Sequence, residues 1–107
     1  KEIDRILNDT KLLENAGVFS IVLECVETKL SKQITKNIKI PTIGIGSSSN
    51  CDGQVLVIDD LIGMSDSKFK FVKKYVDLSK VINSAVKKYK NEVKNKQFPK
   101  AKHSFAN

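Results

Sequence analysis

The chain has 107 residues, a length typical of one small domain or of part of a larger one. Hydrophobic residues make up 40% and charged residues 29% of the sequence, which favours a folded globular protein over a disordered one. The longest mainly apolar run, residues 19–23, excludes a membrane-spanning helix, which needs about 20 apolar residues. The chain begins with Lys1 rather than Met, so we expect the true N-terminus to lie upstream.

The net charge of +7 is concentrated in the second half of the chain. Residues 1–53 hold seven basic and seven acidic residues, whereas residues 54–107 hold twelve lysines against five acidic residues. A basic half is compatible with binding to nucleic acid. However, Arg5 is the only arginine, and arginine is the usual reader of bases and phosphates. The lysines therefore indicate a solvated helix face more strongly than a nucleic-acid surface.

The first part of the chain predicts a helix, a strand and a second helix. Apolar residues at helical spacing predict a helix over residues 3–16, which Gly17 would end in a left-handed conformation. The apolar, β-branched run 19–23 predicts a buried strand of a parallel sheet covered on both faces. Thr28 is the expected N-cap of a helix over residues 29–37.

The second part predicts two strands and a long helix. Residues 41–45 and 54–58 are short runs rich in β-branched residues, typical of strands. From about Ser67 the pattern becomes helical and continues to about Asn95. Residues 97–99 should be extended, because proline disfavours helix at the residue before it.

Alternation of helices with short apolar strands predicts an α/β fold with a parallel sheet. About three parallel strands with covering helices would leave both outer strands with unpaired backbone groups. The sequence therefore predicts that the chain is one part of a larger α/β fold.

Two cysteines and one histidine give little support to metal or redox chemistry. Cys25 and Cys51 lack the spacing of a zinc site or a disulfide framework, so free thiols are expected. His103 lies in a polar C-terminal stretch, where a passive surface role is the default expectation.

Glu24 is the most informative polar residue in the sequence. It follows the apolar run 19–23, and a carboxylate at the end of a buried strand is costly unless it is paired, protonated or functional. Ligands of parallel α/β folds bind at the carboxyl ends of the strands, which is where Glu24 is predicted to lie. A side chain that simply reaches solvent or pairs with a lysine is an equally good interpretation of the pattern alone.

Other polar positions carry weaker signals. The glycines of segment 44–46 allow close backbone approach, but they lack the third glycine of a dinucleotide-binding fingerprint. Asp59 and Asp60 could attract Mg²⁺, although adjacent strand residues point to opposite faces. Asp52 is expected to shape a turn, and the serines of segment 47–49 have no nearby histidine to activate a nucleophile.

Several linked segments, in order along nearly the whole chain, resemble one enzyme family, the ketopantoate hydroxymethyltransferases (3-methyl-2-oxobutanoate hydroxymethyltransferases). The matching segments are 14–26 (ENAGVFSIVLECV), 40–46 (IPTIGIG), 51–57 (CDGQVLV), 60–63 (DLIG), 70–75 (KFVKKY), 98–99 (FP) and 103–105 (HSF).

The resemblance implies a fold and an activity. The family fold is a (β/α)8 TIM barrel, of about 250 residues, so residues 1–107 resemble its C-terminal part, with residues 96–107 as an extended C-terminal tail. The family transfers a hydroxymethyl group from 5,10-methylenetetrahydrofolate to 3-methyl-2-oxobutanoate, giving 2-dehydropantoate in pantothenate and coenzyme A biosynthesis. It depends on Mg²⁺, is cytoplasmic and commonly forms large homo-oligomers.

One catalytic residue carries over from the resemblance. Glu24 matches the family's proton acceptor, while the metal-binding acids and the substrate-binding lysine are expected upstream of this chain. The segment alone is therefore expected to be inactive without the N-terminal half of the barrel. The sequence departs from the family at Ser47 and Ser48 (usually Ala-Gly), at Glu27 (usually Pro) and at Asp59 (often His). We expect the serines to alter the loop and Glu27 to loosen the start of the next helix.

Two other functions are compatible with the sequence. A basic nucleic-acid-binding domain would bind DNA or RNA with strong salt dependence, but its aromatic residues lie mainly at the spacing of a helix core. A non-catalytic remnant of a barrel enzyme would be a folded, soluble monomer that binds no cofactor.

Overall fold

The structure of the chain is a computed structural model that describes residues 1–105. Its described residues form two compact units, one comprising residues 1–57 and 67–72, the other residues 58–66 and the described chain from 73 onward. The elements are α1 (Glu2–Asn15), β1 (Ile21–Glu24), α2 (Thr28–Asn37), β2 (Thr42–Ile45), β3 (Gly53–Gln54), α3 (Ile58–Leu61), α4 (Leu78–Lys94) and a short 3-10 helix (Ala101–His103).

The first unit is built on a parallel sheet with the strand order β1-β2-β3. Ile21 of β1 pairs with Thr42 of β2, and the register continues to the end of both strands. All three strands run in the same direction, so their carboxyl ends lie at one edge. This arrangement confirms the predicted α/β class with about three parallel strands and covering helices.

The two faces of the sheet differ in burial. Ile21 and Leu23 are buried, while Val22 and Glu24, which alternate with them, are exposed. The prediction of a sheet covered on both faces is therefore wrong for the first unit, in which α1 and α2 cover one face only. That covered face carries the hydrophobic core, formed with Leu30, Ile34, Ile38 and Cys51 and with partly buried residues that include Ile6 and Leu7 of α1.

Strand β3 is shorter than the sequence pattern predicts. It comprises Gly53–Gln54 rather than residues 54–58, and Ile58 already begins α3. Val55 still donates a backbone hydrogen bond to the Gly44 carbonyl oxygen (3.0 Å), but no further pairing follows. In this register Val55 lies opposite Ile45, where β2 ends, so the residues after Val55 have no neighbouring strand to extend along.

The N-cap of helix α2 lies one residue earlier than the sequence predicts. Glu27 rather than Thr28 is the N-cap, and its carboxylate accepts a hydrogen bond from the Leu30 backbone N–H (3.1 Å). The expectation that Glu27 loosens the helix start is therefore wrong, because this carboxylate satisfies one of the free N–H groups of the first turn. The predicted role of Gly17 after α1 is confirmed by its φ of +88°.

The second unit contains the long helix, α4. It begins at Leu78 behind the N-cap Asp77, whose carboxylate accepts from the Lys80 backbone N–H (3.3 Å). The predicted start near Ser67 is wrong, since residues 67–72 form no helix and belong to the first unit. The predicted end is confirmed by the C-cap Asn95.

After α4, Phe98 packs between two aromatic rings. Its ring centroid lies 5.6 Å from that of Tyr89 and 5.1 Å from that of His103. The Phe98–Pro99 peptide bond is cis. Residues 106 and 107 of the predicted tail lie outside the described residues. In the described part of the chain, no helix combines the length and apolar character needed to cross a membrane.

The Glu14 side chain connects α1 to the segment before β2, and its contribution to stability is expected to depend on pH. A hydrogen bond from the Lys11 ammonium and another from the Lys39 backbone N–H hold the pKa of the Glu14 carboxyl below its ordinary value. The resulting stability is present above the ordinary glutamate pKa and is lost as the pH falls through the lowered pKa. We expect Glu14→Gln to be less stable than wild type at neutral pH and the difference to shrink on acidification. The midpoints of urea unfolding of both proteins, measured from neutral to acidic pH, test this expectation. A stability difference that does not change with pH would contradict it.

Candidate functional site at the carboxyl edge of the sheet

The carboxyl ends of β1 and β2 meet side by side at one edge of the sheet. Glu24 ends β1, Ile45 ends β2, and the two residues are register partners. Glu24 lies on the same face as Val22, opposite the helix-covered face that holds Leu23. The structure therefore places Glu24 where the sequence predicted, at the strand end, with an exposed side chain on the open face.

The backbone turns sharply immediately after Glu24. Cys25 has a φ of +52°, a left-handed conformation that is uncommon for a residue other than glycine. Its N–H donates to the Ile45 carbonyl oxygen (2.9 Å), so the turn is fixed to the end of β2. This left-handed residue costs on the order of 1–2 kcal/mol, and it directs the chain away from β1 immediately beyond Glu24.

The Ser47 side chain, just beyond the end of β2, forms hydrogen bonds to the residues on both sides of this turn. Its hydroxyl donates to the Leu23 carbonyl oxygen (2.6 Å) and accepts from the Val26 backbone N–H (3.0 Å). These two bonds bracket Glu24 and Cys25 on both sides. Ser47, one of the departures from the family pattern, thus adds two hydrogen bonds that an alanine could not make.

Replacing Ser47 should loosen the turn. We expect Ser47→Ala to lower the free energy of unfolding by about 1 kcal/mol, the usual contribution of such a hydrogen bond. Ser49→Ala, in the same loop at an exposed position, is the matched control and should change stability little. Urea unfolding of the three proteins measures the effect. Equal stability of both variants would contradict a stabilising role for the two Ser47 hydrogen bonds.

Gly46 lets an aromatic ring lie directly on the strand end. Its φ is +63°, and a Cβ atom at this position would stand 2.8 Å from the Phe71 ring. The Phe71 ring also stacks on that of Phe69, with centroids 5.5 Å apart and planes 3° from parallel. Segment 67–72 is thereby packed against the carboxyl edge of the sheet.

A cleft of about 640 Å³ opens at this edge. Its walls are Cys25, Thr28, residues 46–49, Gln54, Lys70 and Phe71. Lys70 carries the only charge among the described residues that line it. Glu24 does not line the cleft, but it directly precedes Cys25, which does.

Sequence reasoning did not single out the cleft residues as a site. Lys70 and Phe71 lie far along the chain from Cys25 and from the loop after β2 (residues 46–49, the β2 loop), and the sequence pattern placed them in the predicted helix and in the resemblance segment 70–75. Gln54 lies in a strand, as predicted, and its side-chain amide also donates a hydrogen bond to the Ser48 carbonyl oxygen (2.7 Å).

The described residues do not form a metal site. Within residues 1–105 no group of three or more His, Cys, Asp or Glu side chains is arranged to hold a metal ion. Asp60 is buried in α3 and accepts a hydrogen bond from the Ser65 hydroxyl, while Asp59 is exposed. Both cysteines are free thiols, as predicted, with Cys25 exposed and Cys51 buried.

Asp52 has a structural role at the opposite edge of the sheet. Its carboxylate accepts from the Thr42 backbone N–H (2.8 Å) and lies 3.2 Å from the hydroxyl of the same residue. The fully buried Thr42 also shares a hydrogen bond with the Thr35 hydroxyl (2.8 Å). The network anchors the start of β2 to α2 and to the segment before β3.

Comparison with known proteins decides the family. A family model described as ketopantoate hydroxymethyltransferase matches residues 1–101. The chain belongs to the ketopantoate hydroxymethyltransferase family. Similar proteins include the 3-methyl-2-oxobutanoate hydroxymethyltransferase of Pelagibacter ubique, 61% identical over 100 residues, which span 94% of this chain. That of Carboxydothermus hydrogenoformans is 55% identical over 106 residues (98% of this chain), and that of Syntrophus aciditrophicus 54% over 103 (94%).

The chain matches only part of each relative. The matched region is 39% of the Pelagibacter ubique protein and 38% of the other two. The family assignment confirms the sequence resemblance. Most of the length of these relatives has no counterpart in this chain.

Proposed function

We propose that this chain supplies the proton acceptor of a ketopantoate hydroxymethyltransferase, and that Glu24 is that acceptor. The reaction would transfer a one-carbon unit from 5,10-methylenetetrahydrofolate to 3-methyl-2-oxobutanoate and give 2-dehydropantoate, a step of pantothenate biosynthesis. The observation that carries the proposal is the position of Glu24 at the carboxyl end of β1, on the face of the sheet that α1 and α2 leave exposed.

The position supports this role on physical grounds. A base must reach a C–H bond of a bound substrate, and carboxyl ends of parallel strands are where α/β folds bind ligands. Glu24 has no hydrogen-bond or ion-pair partner among the residues that the structure describes, whereas the carboxylates of Glu14, Glu27 and Asp52 have structural partners. Its carboxylate therefore has no structural task among the described residues.

The proposed step starts at C3 of 3-methyl-2-oxobutanoate. Glu24 takes the C3 proton, and the electron pair of the broken C–H bond moves into the neighbouring keto group to form an enolate. Water attacks the methylene carbon of the folate, and the bonds from this carbon to N5 and N10 break. The two protons of the water go to N5 and N10, so that tetrahydrofolate leaves and the carbon remains as formaldehyde. C3 of the enolate bonds to the formaldehyde carbon, and the oxygen takes back the proton held by Glu24 to become the hydroxyl group of 2-dehydropantoate.

The described residues do not account for the metal that the family resemblance implies. The family resemblance implies Mg²⁺, which would stabilise the enolate oxygen, but the described residues form no cluster that fits a divalent cation. We propose that the ligands of Mg²⁺ lie in the part of the protein that corresponds to the rest of the relatives' length. Isolated, residues 1–107 should then be inactive.

The open face of the sheet supports a larger architecture. Val22 on this face is 59% exposed although it lies within a strand. We propose that residues 1–107 are the C-terminal part of a (β/α)8 TIM barrel, with residues 96–107 as its C-terminal tail, and that the N-terminal half covers this face. We further propose that the complete enzyme is a cytoplasmic homo-oligomer.

The proposal is tested by exchange of the C3 proton in a complete enzyme. The protein to use is the Pelagibacter ubique relative with its matching segment replaced by this chain, since the two are 61% identical there. We expect this chimera to exchange the C3 hydrogen of 3-methyl-2-oxobutanoate with deuterium from the solvent, and Glu24 to be required. A folded chimera that binds substrate without exchange would instead indicate a non-catalytic remnant.

A further inference from the structure

The cleft and Glu24 lie on different sides of the same sheet edge. Gln54, which lines the cleft, is the register partner of Gly44, and Gly44 is buried on the helix-covered face. Thr28, another lining residue, is the first residue of α2, a helix that packs on that face. Glu24 is on the open face. A ligand that fills the cleft and also reaches Glu24 must extend over the edge, past Cys25.

The dimensions of the cleft exceed what the keto acid needs. Its volume of about 640 Å³ is within the range of sites for drug-sized ligands. 3-Methyl-2-oxobutanoate is a small molecule that would leave most of this space empty. The one-carbon donor of the proposed reaction is long, with the reactive methylene at its pterin end, an aminobenzoyl ring in the middle and a glutamate with two carboxylates at the other end.

We infer that the cleft binds the aminobenzoyl-glutamate part of the reduced folate donor, with Lys70 pairing with a glutamate carboxylate. This inference rests on the proposed function. The methylene carbon then lies at the sheet edge, next to the open face where Glu24 forms the enolate. The tail of the donor lies in the cleft between the β2 loop and segment 67–72.

The chemistry of the walls matches this part of the donor. Lys70 carries the only charge among the described residues that line the cleft, and it is exposed, so its ammonium can meet a carboxylate. Phe71 adds aromatic surface to the same wall, which suits the apolar aminobenzoyl group. Its ring is held in place by the stack on Phe69 and by close contact with the Gly46 backbone. Hydroxyls of Thr28 and Ser49 add polar groups to the walls.

The test uses the Pelagibacter ubique chimera and two donors. One donor is 5,10-methylenetetrahydrofolate, and the other is 5,10-methylenetetrahydropteroate, which lacks the glutamate. We expect Lys70→Gln to raise KM for the folate donor about ten-fold, as the loss of a charged hydrogen bond does. KM for the pteroate donor and KM for 3-methyl-2-oxobutanoate should stay unchanged. Lys70→Arg should restore most of the folate affinity.

Lys68→Gln is the matched control, because Lys68 is an exposed lysine of the same segment that does not line the cleft. It should leave every KM unchanged. Equilibrium dialysis of tetrahydrofolate against the 107-residue chain and its Lys70→Gln variant gives a second measurement that needs no activity, and the same ten-fold loss is expected. The inference would be overturned if Lys70→Gln left KM for the folate donor unchanged or raised KM equally for both donors. It would also be overturned if the 107-residue chain and its Lys70→Gln variant bound tetrahydrofolate equally well. Exchange of the C3 proton, which uses no folate, separates these outcomes from failure of the proposed function.

Discussion

Glu24→Gln should abolish most of the C3 proton exchange while leaving the fold intact. A general base contributes about 10²–10⁴-fold to a rate, and the amide of glutamine cannot accept the proton. In the Pelagibacter ubique chimera we therefore expect the exchange of 3-methyl-2-oxobutanoate in D₂O, followed by proton NMR, to slow by that factor. Binding of Mg²⁺ and of the keto acid should persist.

The structure offers a close control for this substitution. Glu27→Gln makes the same chemical change three residues further along, at the N-cap of α2 rather than at the strand end. It should weaken the cap and leave the exchange rate near that of the parent. Full exchange in the Glu24→Gln protein would remove Glu24 as the base. Loss of Mg²⁺ binding together with exchange would indicate that Glu24 acts on the metal site instead.

The position of Glu24 could be predicted because strand β1 is specified locally. Its apolar residues form one short run, the helix before it ends at a glycine, and a carboxylate follows the run. The strand boundaries shifted, from residues 19–23 to Ile21–Glu24, and Phe19 is 88% exposed. A shift of two residues does not change the position of Glu24 at the carboxyl end.

Strand β3 and the start of α4 could not be predicted from local pattern. Residues 55–57 have strand propensity, but a strand continues only where a partner runs beside it, and β2 ends at Ile45, opposite Val55. Residues 67–72 precede a helical pattern and were predicted to begin the helix, yet Phe71 packs on the Gly46 backbone instead. In both cases a tertiary contact overrides propensity.

The geometry of the site depends on contacts between distant parts of the chain. Ser47 reaches back to Leu23 and Val26, and Lys70 joins the cleft from a segment beyond α3. A single sequence contains no pairing information of this kind. The left-handed Cys25 has no sequence signal either, since cysteine is not a residue that favours a positive φ.

Gly46→Ala should be the most destabilising small substitution at the site. The added methyl group would lie 2.8 Å from the Phe71 ring, and the φ of +63° is unfavourable for alanine. The backbone conformation costs about 1–2 kcal/mol and overpacking about 1–3 kcal/mol. We expect a loss of about 3 kcal/mol in the free energy of unfolding, measured by urea denaturation of the 107-residue chain.

The chain provides a way to separate these two causes. Gly17 has a φ of +88° but no atom within 4 Å of the place where an added methyl group would lie, so Gly17→Ala measures the backbone cost alone, about 1 kcal/mol. In a Phe71→Ala background only the Cβ atom of residue 71, 3.1 Å from the added methyl group, remains nearby, and Gly46→Ala should then cost little more than Gly17→Ala does. If Gly46→Ala costs the same with and without the Phe71 ring, the ring does not pack on the strand end, and segment 67–72 does not form a wall of the cleft. If Gly46→Ala binds tetrahydrofolate more weakly than Gly17→Ala does, the packing of the Phe71 ring on Gly46 is needed for binding of the donor.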